Sequence, residues 1–155
     1  MSDIFIHYGS PNLELHRIYP IKNKPLTSFG TKQKPFGGFW ASPVNSIYGW
    51  YDWNMESNYC TDLLKYNFLV GLQRNPKIYI IDSYKDLEKL PVRTINIDGY
   101  YLLDFEVISK EYDIIWLTLR GIQTTNDPLM PLNLCGWDCE SLLIMNKKKI
   151  YQYAR

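Results

Sequence analysis

The chain contains few residues that bind metals or form disulfides, and it has almost no net charge. It has three cysteines and two histidines among 155 residues, and its formal net charge is +1. Cys135 and Cys139 lack the second Cys or His pair of a structural zinc site, so we expect no metal centre. A charge near zero gives no overall attraction to nucleic acid or a membrane. The odd cysteine count and the lack of a secretory leader pattern predict a reducing, cytoplasmic location.

Long apolar runs and repeated segments are also missing. No stretch approaches the roughly 18–20 apolar residues that a membrane helix requires, so no membrane partner is expected. We find no internal repeat, low-complexity tract or linker within the 155 residues. The length suits one domain. We therefore predict a single domain that covers residues 1–155.

Aromatic residues are abundant, at 15% of the chain, with 13 Tyr and 5 Trp. Such an excess is typical of a β-rich core or of surfaces that stack flat ligands.

Short strands mixed with short helices predict the α+β class. The predicted strands cover residues 4–8, 37–42, 68–73, 77–82, 113–119, 142–145 and 150–153. Helices are predicted at 52–66, 84–90 and within 102–112, with a short helical turn near 13–18, and residues 120–136 are predicted as a loop.

The first strand ends in His7-Tyr8-Gly9-Ser10. A histidine at a strand end offers ring donors and acceptors, and a following glycine lets the backbone approach a ligand closely. Taken alone, His7 also fits a half-buried strand residue whose ring is already hydrogen-bonded.

The second strand is preceded by two glycines and followed by two large aromatic residues. Gly37 and Gly38 permit close backbone approach, and Trp40, Trp50 and Tyr51 can form the walls of a slot for a flat ring. Core packing is the alternative interpretation of these aromatic residues.

Glu140 stands at the entrance to the most apolar strand. A carboxylate held in an apolar setting can polarise a hydroxyl or stabilise a developing cation. The alternative is a solvated acid at a strand end.

In this order, the three motifs resemble the histidine–tyrosine–glutamate branch of the ADP-ribosyltransferase superfamily, which includes poly(ADP-ribose) polymerases and small bacterial and phage transferases. The first resembles the family's His-Gly-Ser/Thr or His-Tyr-Thr-like strand ending. The second, FGGFWAS at 36–42, resembles Gly-x-Gly-Ile-Tyr-Phe-Ala-Ser/Asp, and ESLLIMN at 140–146, followed by IYQY, resembles Asn-Glu-Tyr-Ile-Val-Tyr-Asp/Asn and its following strand. Tyr51 lies eleven residues after Trp40, where the family places a tyrosine that stacks on nicotinamide.

The resemblance implies an ADP-ribosyltransferase-like fold with a split mixed sheet, NAD as substrate, and transfer of ADP-ribose to a protein or nucleic acid. Glu140 would bind a hydroxyl of the nicotinamide ribose and stabilise the oxocarbenium-like centre, and Tyr51 would stack on nicotinamide. His7, or alternatively Tyr8, would bind the adenosine ribose. Gly9 would pair with the nicotinamide amide and Ser42 would support Glu140. The further candidate NAD-binding residues are Ser10, Gly38, Trp40 and Trp50.

The resemblance leaves the acceptor and the biological role open. Asp138 takes the place where arginine-modifying relatives carry a second Glu. A basic segment could cover the NAD site, contact a phosphate backbone, or simply be a solvated loop. A bacterial or phage toxin or effector fits the relatives, with a neutralising antitoxin as a further candidate partner. The basic segment comprises Arg17, Lys22, Lys24, Lys32 and Lys34.

Two other functions fit the same residues. One is an RNA 2′-phosphotransferase-like enzyme on the same fold, which would need basic residues at its site. The other is a non-enzymatic domain whose Trp and Tyr surface binds a peptide, sugar or nucleotide while Glu140 is structural.

Overall fold

Seven strands form one mixed sheet in the computed structural model, which describes residues 3–26, 33–94 and 98–154. Lys32 lies outside these residues. The strands are β1 (Phe5–Tyr8), β2 (Phe39–Pro43), β3 (Asn67–Leu72), β4 (Ile78–Ile81), β5 (Ile114–Leu117), β6 (Ser141–Ile144) and β7 (Ile150–Tyr153). The helices are α1 (Trp50–Ser57), α2 (Tyr84–Glu88), α3 (Phe105–Glu111) and α4 (Leu119–Thr125), and 3₁₀ turns cover Leu15–Arg17, Thr61–Lys65 and Lys147–Lys149.

The strand order is β4-β5-β6-β2-β1-β3-β7. Strands β4 and β5 are parallel and are connected through α2 and α3, as a parallel pair requires a long crossover. The other five pairs of neighbouring strands are antiparallel. The α+β class is therefore confirmed. The order also makes β6, β2 and β1, which carry the three sequence motifs, adjacent to one another.

Strand β6 is covered on both faces, which accounts for its apolar sequence. All its residues are buried, and successive side chains of a strand point to opposite faces. Leu143 belongs to the core cluster that includes Leu117 and Trp137. Leu142 and Ile144 belong to a second cluster that includes Phe5. The two clusters fix β6 rigidly, and with it the position of Glu140 directly before the strand.

The predicted helix at 52–66 is wrong in its extent. Helix α1 ends at Ser57, and the next residue, Asn58, takes a left-handed conformation with φ of 54°. Asn tolerates this conformation better than most residues and is a common helix terminator. Cys60 is also left-handed, and a 3₁₀ turn follows it. The aromatic spacing that suggested one long helix is divided between two short elements.

The predicted loop at 120–136 is wrong at its start, because α4 occupies Leu119–Thr125. The Thr118 side chain caps this helix by accepting from the Gly121 amide at 3.0 Å. Gly121 is needed for packing, since a Cβ there would lie 2.1 Å from the Ile81 carbonyl oxygen.

Within the described ranges, no helix combines the length and apolar character that crossing a bilayer demands.

Candidate functional site

Strands β1, β2 and β6 adjoin a cavity of about 220 Å³. This is larger than the roughly 150 Å³ cavity that admits benzene, so one flat ring with part of a sugar can enter. Residues from or beside all three motifs line it. They include His7, Tyr8, Trp40, Ser42, Trp50 and Ser141.

Tryptophan side chains form fixed walls of this cavity. Trp40 meets Trp137 edge to face, with ring centroids 4.9 Å apart, and Trp50 stacks on Trp53 at 5.2 Å. The Trp137 ring is anchored because its Nε1–H donates to the Gln33 carbonyl at 2.7 Å. These contacts hold the indole faces in place before any ligand arrives, which lowers the entropy cost of binding.

Tyr51 lies at the edge of the cavity rather than in its wall. Its ring centroid is 5.9 Å from that of Tyr8, and its side chain is 47% exposed. The neighbouring Trp50 lines the cavity instead. Of the two aromatic residues, Trp50 is therefore better placed to stack on a ring inside the cavity.

His7 is held by its neighbours in the sheet. Its Nδ1 lies 2.7 Å from the Trp40 carbonyl oxygen, and its ring stacks on Phe39 and tilts against Phe68. A carbonyl can only accept, so Nδ1 carries the hydrogen. Burial lowers the pKa of His7, while the hydrogen bond to Trp40 opposes that shift. The imidazole thus ties β1 to β2.

Gly9 and Ser10 follow β1 and do not line the cavity. Gly9 has φ of +118°, a conformation that favours glycine, and its N–H donates to the Tyr66 carbonyl at 2.8 Å. An interaction of the Gly9 amide with nicotinamide would have to replace this bond.

The glycine pair before β2 is explained by packing within the protein. Both residues have φ above +70°. A Cβ on Gly37 would lie 2.1 Å from the Pro20 carbonyl oxygen, and one on Gly38 would lie 2.9 Å from Leu143. Gly37 lets the chain pass close to the backbone of Tyr19 and Pro20, and Gly38 lets it pass close to β6. Gly38 is outside the cavity lining.

Glu140 is 8% exposed, and both of its carboxylate oxygens are hydrogen-bonded. Oε1 accepts from Ser46 Oγ at 2.6 Å and Oε2 accepts from Trp116 Nε1 at 3.0 Å. Its neighbours Cys139 and Ser141 line the cavity, but Glu140 does not. The carboxylate is therefore fixed beside the cavity and does not face into it.

Ser42 does contact Glu140, through the backbone. Its Oγ donates to the Glu140 carbonyl at 2.9 Å and accepts from the Trp50 amide at 3.0 Å. The Glu140 amide donates to the Tyr48 carbonyl at 3.0 Å. One serine on β2 thus connects the start of α1 with the start of β6.

Lys34 and Asp138 lie at the cavity with their charged groups close together. Lys34 Nζ is 4.0 Å from Asp138 Oδ2 and 5.7 Å from the centroid of the Trp40 ring. Each side chain is a little over one quarter exposed, so water reaches the pair. Asp138 could receive a cationic group of a ligand if Lys34 moved aside.

Two weak acids near the cavity are held in their neutral forms. Burial raises the pKa of the Cys139 thiol, whose Sγ is 3.5 Å from Ser141 Oγ. Burial and a hydrogen bond to Glu56 raise the pKa of Tyr48 to about 12. Cys139 is therefore a poor nucleophile at neutral pH.

Sequence reasoning did not select Trp137, Cys139 or Ser141 as cavity residues. Cys139 and Ser141 flank Glu140 directly in the sequence, but no motif marked them. Trp137 is brought to the cavity by a loop, which no periodicity predicts.

Within the described part of the chain, no group of three or more His, Cys, Asp and Glu side chains could hold a metal ion. Comparison of the chain with protein-family models, curated proteins and solved structures finds no match. The functional argument therefore depends on the geometry of the cavity and on its residues.

Proposed function

We propose that this protein is an ADP-ribosyltransferase that binds NAD at the cavity beside β1, β2 and β6. One observation carries the proposal: three motifs that are distant in sequence lie on adjacent strands around a single aromatic cavity. Aromatic walls with a few polar groups are typical of sites that bind a flat ring.

In the proposed complex, the nicotinamide ring and its ribose occupy the cavity. Trp50 stacks on the ring, and Tyr51 and Tyr8 contact the part of NAD that extends past the opening. A cavity of about 220 Å³ holds only a part of NAD, so the adenosine half lies outside it.

Glu140 then acts on the ribose. A carboxylate has about four acceptor positions, and Ser46 and Trp116 occupy two of them. Because the carboxylate does not face into the cavity, a ribose hydroxyl reaches it by replacing Ser46, which requires the loop that contains Ser46 to move. The glycosidic bond breaks with its electron pair leaving on nicotinamide, and the carboxylate stabilises the cationic sugar. A nucleophile of the acceptor forms the new bond to the same carbon and releases its proton to water.

A binding module is the second candidate, and one observation favours it. The Glu140 carboxylate is outside the cavity lining and already accepts two hydrogen bonds. In that case Glu140 only fastens β6 to β5 and to the loop that contains Ser46, and the cavity holds a flat ligand without cleaving it.

Incubation with NAD separates these functions. Calorimetry measures binding, chromatography measures released nicotinamide, and labelled NAD with cell lysate reveals the modified acceptor. A transferase binds NAD, releases nicotinamide and labels a macromolecule. Binding without release favours the binding module, and failure to bind NAD contradicts the proposal.

A further inference from the structure

Large apolar side chains stand exposed along α1 and the 3₁₀ turn that follows it. Met55 and Tyr59 are each 54% exposed, and Tyr51 and Leu63 are each 47% exposed. Tyr51 and Met55 lie four residues apart, so they are neighbours on one stripe of the helix. A row of exposed apolar side chains beside polar groups is typical of an interaction surface.

Ring contacts connect this row with the aromatic cavity. Trp53 meets Tyr59 at 5.4 Å between ring centroids and stacks on Trp50, which lines the cavity. Tyr51 lies 5.9 Å from Tyr8, a second residue of the cavity lining. The row therefore begins at the cavity and continues along α1.

A stripe of carboxylates runs beside the apolar row. Asp52 and Glu56 are also four residues apart, and the helical period places both on the side of α1 opposite the buried Asn54. Within the described part of the chain, neither acid forms an ion pair. Residues 50–66 contain three acids and a single base, Lys65. This surface is therefore negatively charged as well as aromatic.

Both carboxylates can accept further hydrogen bonds. Asp52 Oδ2 accepts from the Gly49 amide at 2.9 Å, and Glu56 accepts from the Tyr48 hydroxyl. Since a carboxylate has about four acceptor positions, each acid keeps places for another donor.

The chemistry that complements both stripes is a basic segment of a partner protein. Its Lys or Arg side chains would meet the carboxylates and the ring faces, both of which attract cations. Such a contact already exists within this region, because Lys65 Nζ lies 5.1 Å from the centroid of the Tyr66 ring. A nucleic acid or an anionic membrane is disfavoured, since its phosphates would meet the carboxylates.

We propose that Tyr51, Asp52, Met55, Glu56 and Tyr59 form a docking surface for a basic segment of a protein. The inference rests on the proposed function in taking this protein to be the acceptor of ADP-ribose. A segment bound along α1 lies next to the cavity, so a side chain beside it can approach the sugar there.

A fluorescent peptide of alternating Arg and Gly tests the surface without NAD. Its anisotropy, titrated with the full chain at low salt, should report binding. The same peptide with citrulline in place of Arg should not bind, because it keeps the shape and loses the charge. Added salt should weaken binding of the Arg peptide, since the charges lie at an exposed surface.

The variant Asp52→Asn/Glu56→Gln should bind the Arg peptide at least about threefold more weakly, because two exposed charge pairs are lost. Both amides keep an oxygen for the hydrogen bonds within the protein, so the fold should survive. Glu88→Gln/Glu111→Gln removes the same charge from exposed positions of α2 and α3, and this control should bind as the parent does.

The aromatic half of the surface has its own variant. Tyr59→Ala should weaken binding of the Arg peptide about two- to fivefold through the loss of a ring face for a cation. Tyr19→Ala, at an exposed tyrosine outside α1 and its following turn, should not.

The surface is overturned by parental binding in both the folded amide variant and Tyr59→Ala, by an equal loss in the controls, or by no binding of the Arg peptide to the parent. A labelled uridine oligonucleotide that binds the parent but not Tyr59→Ala would overturn the choice of a protein partner. Sedimentation that shows a dimer for the parent and a monomer for Tyr59→Ala would replace that partner with a second copy of the chain.

NAD assays separate this surface from the proposed function. A protein that binds the Arg peptide and not NAD retains the surface and disproves the transferase. One that releases nicotinamide from NAD but does not bind the peptide disproves only the surface. Where both activities are present, Asp52→Asn/Glu56→Gln should release nicotinamide at the parental rate and label fewer proteins of a cell lysate. Unchanged labelling would overturn the acceptor role of the surface.

Discussion

Trp116 donates a 3.0 Å hydrogen bond from Nε1 to Glu140 Oε2, across the junction of β5 and β6. Ser46 supplies the second donor to the same carboxylate. A nearly buried acid is thus held by one residue from the sheet and one from the loop after β2. The position of the candidate catalytic group depends on both.

Trp116→Phe should destabilise the fold by about 1–3 kcal/mol, because it keeps an aromatic ring but leaves a buried carboxylate oxygen without its donor. Urea unfolding measures the change. Trp53→Phe is the control, since no hydrogen bond from Trp53 Nε1 is found in the described structure. An unchanged free energy of unfolding for Trp116→Phe would mean that the bond contributes nothing to stability.

The stability of the protein should fall as the pH falls below about 6.5, the ordinary pKa of histidine. Burial lowers the pKa of His7 in the folded state, so between the two pKa values the unfolded chain binds a proton that the native protein does not. The stability that neutral His7 contributes is fully present above pH 6.5, and it is lost as the pH falls towards the pKa of His7 in the folded protein. Urea unfolding between pH 7.5 and 5.5 measures how steeply the free energy of unfolding falls with pH. This fall should be smaller for His7→Gln than for His16→Gln, a control at an exposed position. Equal slopes would contradict the burial argument.

Trp50→Ala should weaken NAD binding more than Tyr51→Ala does, because only Trp50 lines the cavity. Stacking contributes about 0.5–1.5 kcal/mol beyond the area buried, so a loss of roughly two- to tenfold is expected. Tyr51→Phe should have little effect, since it keeps the ring face. Calorimetry with NAD measures all three. A large loss for Tyr51→Ala with none for Trp50→Ala would restore Tyr51 as the stacking residue.

Gly121→Ala should destabilise the protein by about 1–3 kcal/mol, because its Cβ would enter the space of the Ile81 carbonyl oxygen and force β4 and α4 apart. Thermal unfolding measures the effect. Thr124→Ala, at an exposed position of the same helix, is the control and should change stability little. A Gly121→Ala protein as stable as the parent would show that the two elements can separate at no cost.

The strands were predictable because each is a short apolar or aromatic run bounded by turn residues. All seven lie within two residues of their predicted bounds, and β7 matches at both ends. The adjacency of β6, β2 and β1 was not deduced from the residues, since pairing of distant strands leaves no local pattern.

The misjudged elements have physical reasons. Asn58 ends α1 through a left-handed backbone that helix propensity does not reveal. The loop at 120–136 was predicted from Asn126, Pro128, Pro131 and Gly136, which all follow the end of α4 at Thr125 and so do not exclude a helix before them. The sequence also placed Glu140 at a strand entrance correctly, but not the direction of its side chain. That direction depends on the register of β6, where a shift of one residue reverses every side chain.

The central claim is tested most directly by the turnover of Glu140→Gln. This variant keeps the shape of the side chain and one acceptor oxygen but removes the charge. NAD affinity should remain near the parental value, because stacking in the cavity does not use the carboxylate. Nicotinamide release should fall at least about a hundredfold, the effect of losing one electrostatic stabiliser of a transition state, roughly 2.7–4 kcal/mol. Glu111→Gln, an exposed acid on α3, should release nicotinamide at the parental rate. Parental turnover by a folded Glu140→Gln protein would contradict the mechanism.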